Sequence, residues 1–279
     1  MLMFKAMGLW ERLAASKDSR LGDHLKHLPV LRPAVLSMQD PIQRRIFGKG
    51  LNALEAELRR TRPTVRPAGS LRALHNSRED GEEFSRLVSA FDTSKLHTLG
   101  YQYVYGPLLL GRMNEDIRLL EIGIGTTNQA LPSAMADEYI PGTSLRAWRA
   151  LFPRGEIYGA DIDERILFSE ERIKCFWVDQ RNRTSLLTLR SSVGEVDVIV
   201  DDGLHIPEAA INSMRVLLPA IRPGGAYVLE DALGRFDSCW RKAELALRPW
   251  FETMYYSNSD LNEFRESREY AGVLVVRRS

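Results

Sequence analysis

From Ile117 onward the chain repeats one pattern: a short apolar run, a small or acidic residue at its end, then a stretch of helical character. The runs are Ile117–Ile122, Glu156–Ala160, Lys174–Val178, Val196–Val200 and Ala226–Leu229, followed by Met254–Ser257 and Gly272–Val276. A strand can reach a parallel neighbour only through a crossover, and a helical crossover buries its apolar stripe on the sheet. Between the last two runs there is too little helix for a crossover, so they are expected to pair antiparallel at the sheet edge. The pattern therefore predicts an α/β fold: a doubly wound, mostly parallel, seven-stranded Rossmann-like sheet.

With 279 residues and 44% hydrophobic composition the chain can bury one sizeable core. Ahead of the sheet, Pro29, Pro33, Pro41, Pro63 and Pro67 divide the chain into short helical pieces, of which Pro41 to Arg60 is the best formed. Residues 1–90 accordingly read as a helical amino-terminal appendage and residues 91–279 as the sheet domain.

Lys and Arg number 38 against 37 Asp and Glu, a net charge of +1, so no global basic field calls for nucleic acid or an anionic membrane. Positive charge is concentrated in residues 1–66, with 13 Lys or Arg against 6 acids, and is read as a solvated face of the appendage, with an anionic substrate or partner as the alternative. No run approaches the roughly 18 apolar residues of a membrane span, and the start MLMFKAMGLWERLAASKD gains charge too early for a secretory signal. That start reads instead as a short amphipathic helix that packs on its own protein or on a second subunit, which leaves room for a homo-oligomer, with attachment to a membrane surface as the alternative. The two cysteines, Cys175 and Cys239, form neither a CxxC pair nor a disulfide framework, in keeping with a reducing cytoplasm.

In open α/β sheets ligands collect beyond the carboxyl ends of the strands, where strand order reverses. The residues there are Glu121 with Gly123 and Gly125; Asp161 and Asp163; Asp179; Asp201, Asp202 and His205; and Glu230 with Asp231. Chance placement of 37 acids would supply one or two such coincidences, so a carboxylate after each of five successive strands points to a shared site.

The turn Glu121-Ile-Gly123-Ile-Gly125-Thr126-Thr127 lets backbone approach a ligand closely. A dinucleotide fingerprint would place glycine at position 128, where Asn128 stands, and there is no P-loop lysine. The better match is the acidic-x-Gly-x-Gly turn that surrounds the methionine moiety of S-adenosylmethionine in class I methyltransferases. Asp161, with Asp163 close behind it, can accept both hydroxyls of a ribose. Asp179 and Gln180 stand where methyltransferases bind the adenine amino group, and Asp201 is counted with the same cofactor contacts. A helix cap is the competing role for Asp179.

Asp202, Glu230 and Asp231 end adjacent strands and converge on one point. Three carboxylates would repel one another unless a hard cation lay between them, which predicts a divalent metal, Mg²⁺ or alternatively Mn²⁺. His205, following Asp202-Gly-Leu, is the side chain nearby with an intrinsic pKa suited to accepting a proton.

Between Phe91 and Asp231 the sequence resembles the macrocin and mycinamicin O-methyltransferase family, metal-dependent enzymes that methylate sugar hydroxyls on natural products. The resemblance is carried by Asp92-Thr93-Ser94-Lys95 with His97 and the following tyrosines, Glu121-Ile-Gly-Ile-Gly125, Gly159-Ala-Asp161-Ile-Asp163, Asp179-Gln180, Asp202-Gly-Leu-His205 and Gly224-Gly with Glu230-Asp231. It implies that Asp202, Glu230 and Asp231 hold the metal and that His205 is the general base. It implies a hydroxyl acceptor on a sugar of a glycan, glycolipid or glycosylated small molecule. The amino-terminal region does not resemble that family's auxiliary domain. A catechol-like diol is the alternative acceptor, and a hydroxylase-like relative of the same fold the alternative chemistry. Tyr101, Tyr103 and Tyr105 are compatible with pocket lining or packing, Lys95 and His97 with covering the cofactor carboxylate, and His24, His27 and His75 have no chemical role.

Overall fold

The computed structural model describes residues 32–61, 78–91, 100–131, 134–257 and 272–278. Its elements in chain order are α1 (Arg32–Thr61), α2 (Arg78–Val88), α3 (Gln102–Leu109), β1 (Arg118–Ile122), α4 (Thr143–Leu151), β2 (Glu156–Asp161), β3 (Ser169–Glu170), β4 (Ile173–Trp177), α5 (Arg183–Val193), β5 (Val196–Asp201), α6 (Pro207–Leu217), β6 (Ile221–Ala232), α7 (Asp237–Leu247), β7 (Glu252–Tyr256) and β8 (Gly272–Arg277). They form an α/β fold around one sheet of order β3-β4-β2-β1-β5-β6-β8-β7.

The strands from β4 to β6 are parallel, whereas β8 pairs antiparallel with both β6 and β7. The sheet has eight strands, not the expected seven. The added strand is β3, two exposed polar residues paired antiparallel with Ile173 and Lys174 of β4, and so short a polar segment carries no hydrophobic pattern to read.

Alternation along the strands divides the core between the two sheet faces. Leu120, Ile199, Tyr227, Leu229, Leu274 and Val276 face the side covered by α5, α6 and α7. Leu119, Val198, Val200, Val228, Val273 and Val275 face the side covered by α2, α3 and α4. Local signals set the helix ends: the Asn182 side chain accepts from Thr184 N and Ser185 N to open α5, and Gly194, at φ +69°, closes it.

The chain divides into two compact units, Met1–Arg45 and Ile46–Ser279. In the second unit Phe47, Leu51, Leu54 and Leu58 recur at helical spacing and are buried in the first face, while Phe84 and Val88 of α2 are buried in the second. Residues 46–61 and 78–91, assigned by sequence to the appendage, thus contribute to the core of the sheet unit. Helix α1 also runs through Pro41, where the sequence predicted the start of a helical piece. Pro41 is exposed, so water can satisfy the carbonyl that loses its donor. Among the described residues no helix is long and apolar enough to cross a membrane.

Candidate active site

β1 lies between β2 and β5, and the chain builds outward from it in one direction and then in the other. Strand order therefore reverses between β1 and β5, and their carboxyl ends open the crevice where ligands bind. Gly123 and Gly125 follow β1 at φ +86° and +85°, a region that side-chain-bearing residues rarely occupy. A Cβ on Gly123 would fall 2.0 Å from the Asp202 carbonyl oxygen, and Asp202 N donates to Ile122 O at 2.9 Å. The glycine turn and the loop after β5 are thus in direct backbone contact. On the other side, a Cβ on Gly125 would meet the Tyr139 ring at 2.2 Å.

Asp161 ties this turn to β2: its carboxylate accepts from Ile124 N at 2.9 Å and from Asp163 N at 3.0 Å. Burial raises its pKa above the ordinary value, and those two amides oppose the rise. The Asp163 carboxylate accepts from Arg165 Nε and Nη2, both at 2.7 Å, and from Thr126 Oγ1 at 2.5 Å. The Arg165 guanidinium holds it well below the usual carboxylate range. Beside this pair Ile162 and Trp177 leave large apolar surfaces exposed, and the indole N–H of Trp177 donates to Ile162 O at 3.1 Å. Glu121 is fully buried and accepts from Trp148 Nε1 at 2.8 Å, so part of its carboxylate is turned toward α4. Helix α4 begins only at Thr143, well beyond Gly125, so its N-terminus does not directly follow the glycine turn as a dinucleotide's pyrophosphate requires.

Asp179 accepts from Arg181 N at 2.9 Å, and the cap of α5 is Asn182 instead. Gln180 and Asp201, expected at the cofactor, brace the loop after β5. Gln180 Nε2 donates to Asp201 Oδ1 at 2.6 Å and to Ser213 Oγ at 3.0 Å, while its Oε1 accepts from Leu204 N at 2.8 Å. The Tyr227 hydroxyl donates to Asp201 Oδ2. Burial raises the Asp201 pKa, and the Tyr227 and Gln180 hydrogen bonds oppose it. A carboxyl raised in the folded state favours folding below its unfolded pKa of ~3.9, and that contribution is lost as pH rises through the folded value. Tyr227→Phe removes an opposing donor, so it should lower stability at neutral pH by about 1–3 kcal/mol and steepen the loss across that window. Urea unfolding at pH 4 and pH 7 measures both effects.

At the centre of the crevice, ligand atoms of Asp202, His205 and Asp231 lie within 4.8 Å of one another. His205 Nε2 is 3.9 Å from Asp202 Oδ1 and 3.8 Å from Asp231 Oδ2. His205 and Asp231 both hold left-handed backbone, at φ +54° and +45°, and such strain persists where the surroundings impose it. His205 Nδ1 is buried without a hydrogen-bond partner, so no fixed acceptor sets the ring's tautomer. Glu230 is not in this group of three. The buried Glu230 carboxylate accepts from the Tyr105 hydroxyl instead. The Tyr101 hydroxyl donates to Asp231 Oδ1 at 2.6 Å and accepts from Asp231 N at 3.1 Å. Burial, then the Asp231 and Glu230 charges, push the Tyr101 phenol well above its ordinary pKa.

The sequence therefore brings together Asp202, His205 and Asp231, and the glycine turn with Asp161 and Asp163. It missed what Tyr101 and Tyr105 do; their spacing of four was the available signal. Ile162, Trp177 and Tyr139 were also missed. Asp92 to Lys95, His97, His24, His27, His75 and the amphipathic start lie outside the described residues.

No family model matches the chain. In sequence it is 42% identical over 118 residues to demethylmacrocin O-methyltransferase of Streptomyces fradiae and 39% identical over 118 residues to mycinamicin VI 2''-O-methyltransferase of Micromonospora griseorubida. Each match covers 42% of this chain and 28% of the relative, so the chain matches under a third of the length of these relatives. A longer match, 183 residues at 31% identity, covers 60% of the chain and 41% of L-olivosyl-oleandolide 3-O-methyltransferase of Streptomyces antibioticus. In structure it is similar to the MycE methyltransferase of the mycinamycin pathway, solved with Mg and SAH, at a TM-score of 0.54 and 26% identity over 70% of this chain and 54% of that one. The chain has the class I methyltransferase fold.

Proposed function

We propose that this chain, similar in sequence and fold to the macrocin and mycinamicin type of sugar O-methyltransferase, is an S-adenosylmethionine-dependent and divalent-metal-dependent O-methyltransferase. Its acceptor is a hydroxyl on a sugar of a glycan, glycolipid or glycosylated natural product. The carrying observation is the contact between Gly123 and the Asp202 carbonyl, which sets the glycine turn directly beside Asp202, His205 and Asp231. A methyl donor in the first and an activated hydroxyl in the second would then be neighbours, as an in-line displacement requires.

The residues present fit both groups. The two glycines leave room that a Cβ would fill, Asp161 and Asp163 put acceptors at the neighbouring strand end, and Ile162 with Trp177 offers an apolar ledge for a flat base. S-adenosylmethionine would supply a methyl group on a sulfonium, a leaving group that departs as a neutral thioether. Asp202 and Asp231 would hold the cation, with the Glu230 carboxyl held next to Asp231 by the Tyr105 hydroxyl. A bound divalent cation, Mg²⁺ as in the MycE structure or Mn²⁺, supplies Lewis acidity that lowers the cost of charge on the acceptor oxygen. His205 takes the hydroxyl proton at Nε2, where the resulting positive charge faces both Asp202 and Asp231. One histidine among two carboxylates does not supply the two histidines and one carboxylate of an iron oxygenase triad, which disfavours hydroxylase chemistry. The near-zero net charge and the two free thiols favour a cytoplasmic enzyme acting on small molecules or glycans without nucleic acid, with room for a homo-oligomer.

S-adenosylhomocysteine tests the cofactor half of this reading. At a hundredfold excess over its dissociation constant it should add roughly 2.7 kcal/mol to apparent stability, seen as a raised Tm, while NAD should add none. Stabilisation by NAD with no response to S-adenosylhomocysteine would contradict it.

A further inference from the structure

The site contains two acidic neighbours, Glu230 and Asp231, whose carboxylates take different partners. The distinction comes from α3. Tyr105 N donates to Tyr101 O at 2.9 Å, which sets the two phenols one helical turn apart on one face. Both rings are fully buried, and Tyr105 packs against Phe84 and Trp148 at centroid distances of 5.8 and 5.1 Å. Tyr105 takes an oxygen of Glu230, and Tyr101 takes Oδ1 of Asp231.

Tyr101 does more than donate to one end of the carboxylate. Its oxygen also receives the Asp231 backbone N–H, so side chain and main chain of Asp231 close on the same phenol. That closure fixes both the left-handed backbone at φ +45° and the direction of the carboxylate, leaving Oδ2 on the side of His205 Nε2. The register between β6 and β8 is interrupted between Leu229 and Ala232, so the sheet does not hold Asp231 in place through regular pairing.

We propose that Tyr101 is the positioning residue of the metal site: its hydroxyl, presented by the buried start of α3, aims Asp231 Oδ2 at the cation. This rests on the metal-dependent reading above. Partners that orient a ligand typically change metal affinity by roughly 10- to 100-fold when removed. Tyr101→Phe keeps the ring that fills the core and deletes only the hydroxyl.

The experiment measures Mn²⁺ affinity of the wild type, Tyr101→Phe and Asp202→Asn by electron paramagnetic resonance, with S-adenosylhomocysteine affinity and metal-free Tm on the same samples. The expected result is a rise of the Mn²⁺ dissociation constant by roughly tenfold or more in Tyr101→Phe, with cofactor affinity within about twofold of wild type. Unchanged Mn²⁺ affinity in Tyr101→Phe beside a large loss in Asp202→Asn would overturn the role of Tyr101 and leave the metal site standing. Equal losses of Mn²⁺ and cofactor binding, or failure of Tyr101→Phe to fold, would make the hydroxyl a support of the fold and also overturn it. Absence of Mn²⁺ binding in the wild type would overturn the metal-dependent reading itself.

Discussion

Asp202→Asn is expected to lower methyl transfer by roughly 10³-fold and to weaken Mg²⁺ or Mn²⁺ binding in parallel, because Lewis-acid stabilisation is worth several kcal/mol and each 1.36 kcal/mol is tenfold in rate. The substitution keeps the side-chain shape and the backbone contacts of Asp202 with Ile122 and Gly123, so the glycine turn should survive. S-adenosylhomocysteine should therefore bind with nearly wild-type affinity. Chelation of the wild type should reproduce the loss, and added Mg²⁺ or Mn²⁺ should reverse it in the wild type far more readily than in the variant. Turnover that persists after exhaustive chelation would assign Asp202 and Asp231 to another purpose.

His205→Ala should reduce the rate by roughly 10²- to 10⁴-fold, the usual contribution of a general base, while both cofactor and cation remain bound. The left-handed backbone at His205 complicates this variant, since alanine is less at ease there than asparagine. His205→Asn accepts that conformation more readily and lacks the basicity, so it should lose rate to a similar degree. Direct measurement of Mn²⁺ affinity then separates base from ligand, a necessary control because Nε2 stands within 4 Å of a carboxylate oxygen on each side. A loss of cation affinity equal to the loss of rate in both variants would make His205 a ligand.

What the sequence revealed and what it hid follow from the range of the interactions concerned. Strand ends could be read because alternation and burial are local, and they carried Gly123, Gly125, Asp161, Asp202, His205 and Asp231 to one crevice. The different placement of Glu230 and Asp231 could not be read, since it is decided by two tyrosines 125 and 130 residues earlier in the chain. The same applies to Gln180 and Asp201, whose partners Ser213, Leu204 and Tyr227 come from later elements. Phe47, Leu51, Leu54 and Leu58 did carry a local signal: their helical spacing marks a buried stripe, which the excess of basic residues and prolines around them obscured.

The central claim, that a methyl donor and a divalent cation occupy adjacent sites, is open to a measurement that needs no acceptor. S-adenosylmethionine carrying a ¹³C-labelled sulfonium methyl is bound to the protein, and the methyl resonance is followed as Mn²⁺ is added. Paramagnetic relaxation falls steeply with distance, so a cation at Asp202 and Asp231 beside the glycine turn should broaden the resonance strongly, and Asp202→Asn should abolish that broadening at the same Mn²⁺ concentration. A resonance that stays sharp while both ligands are demonstrably bound would place cation and methyl group far apart and contradict the account.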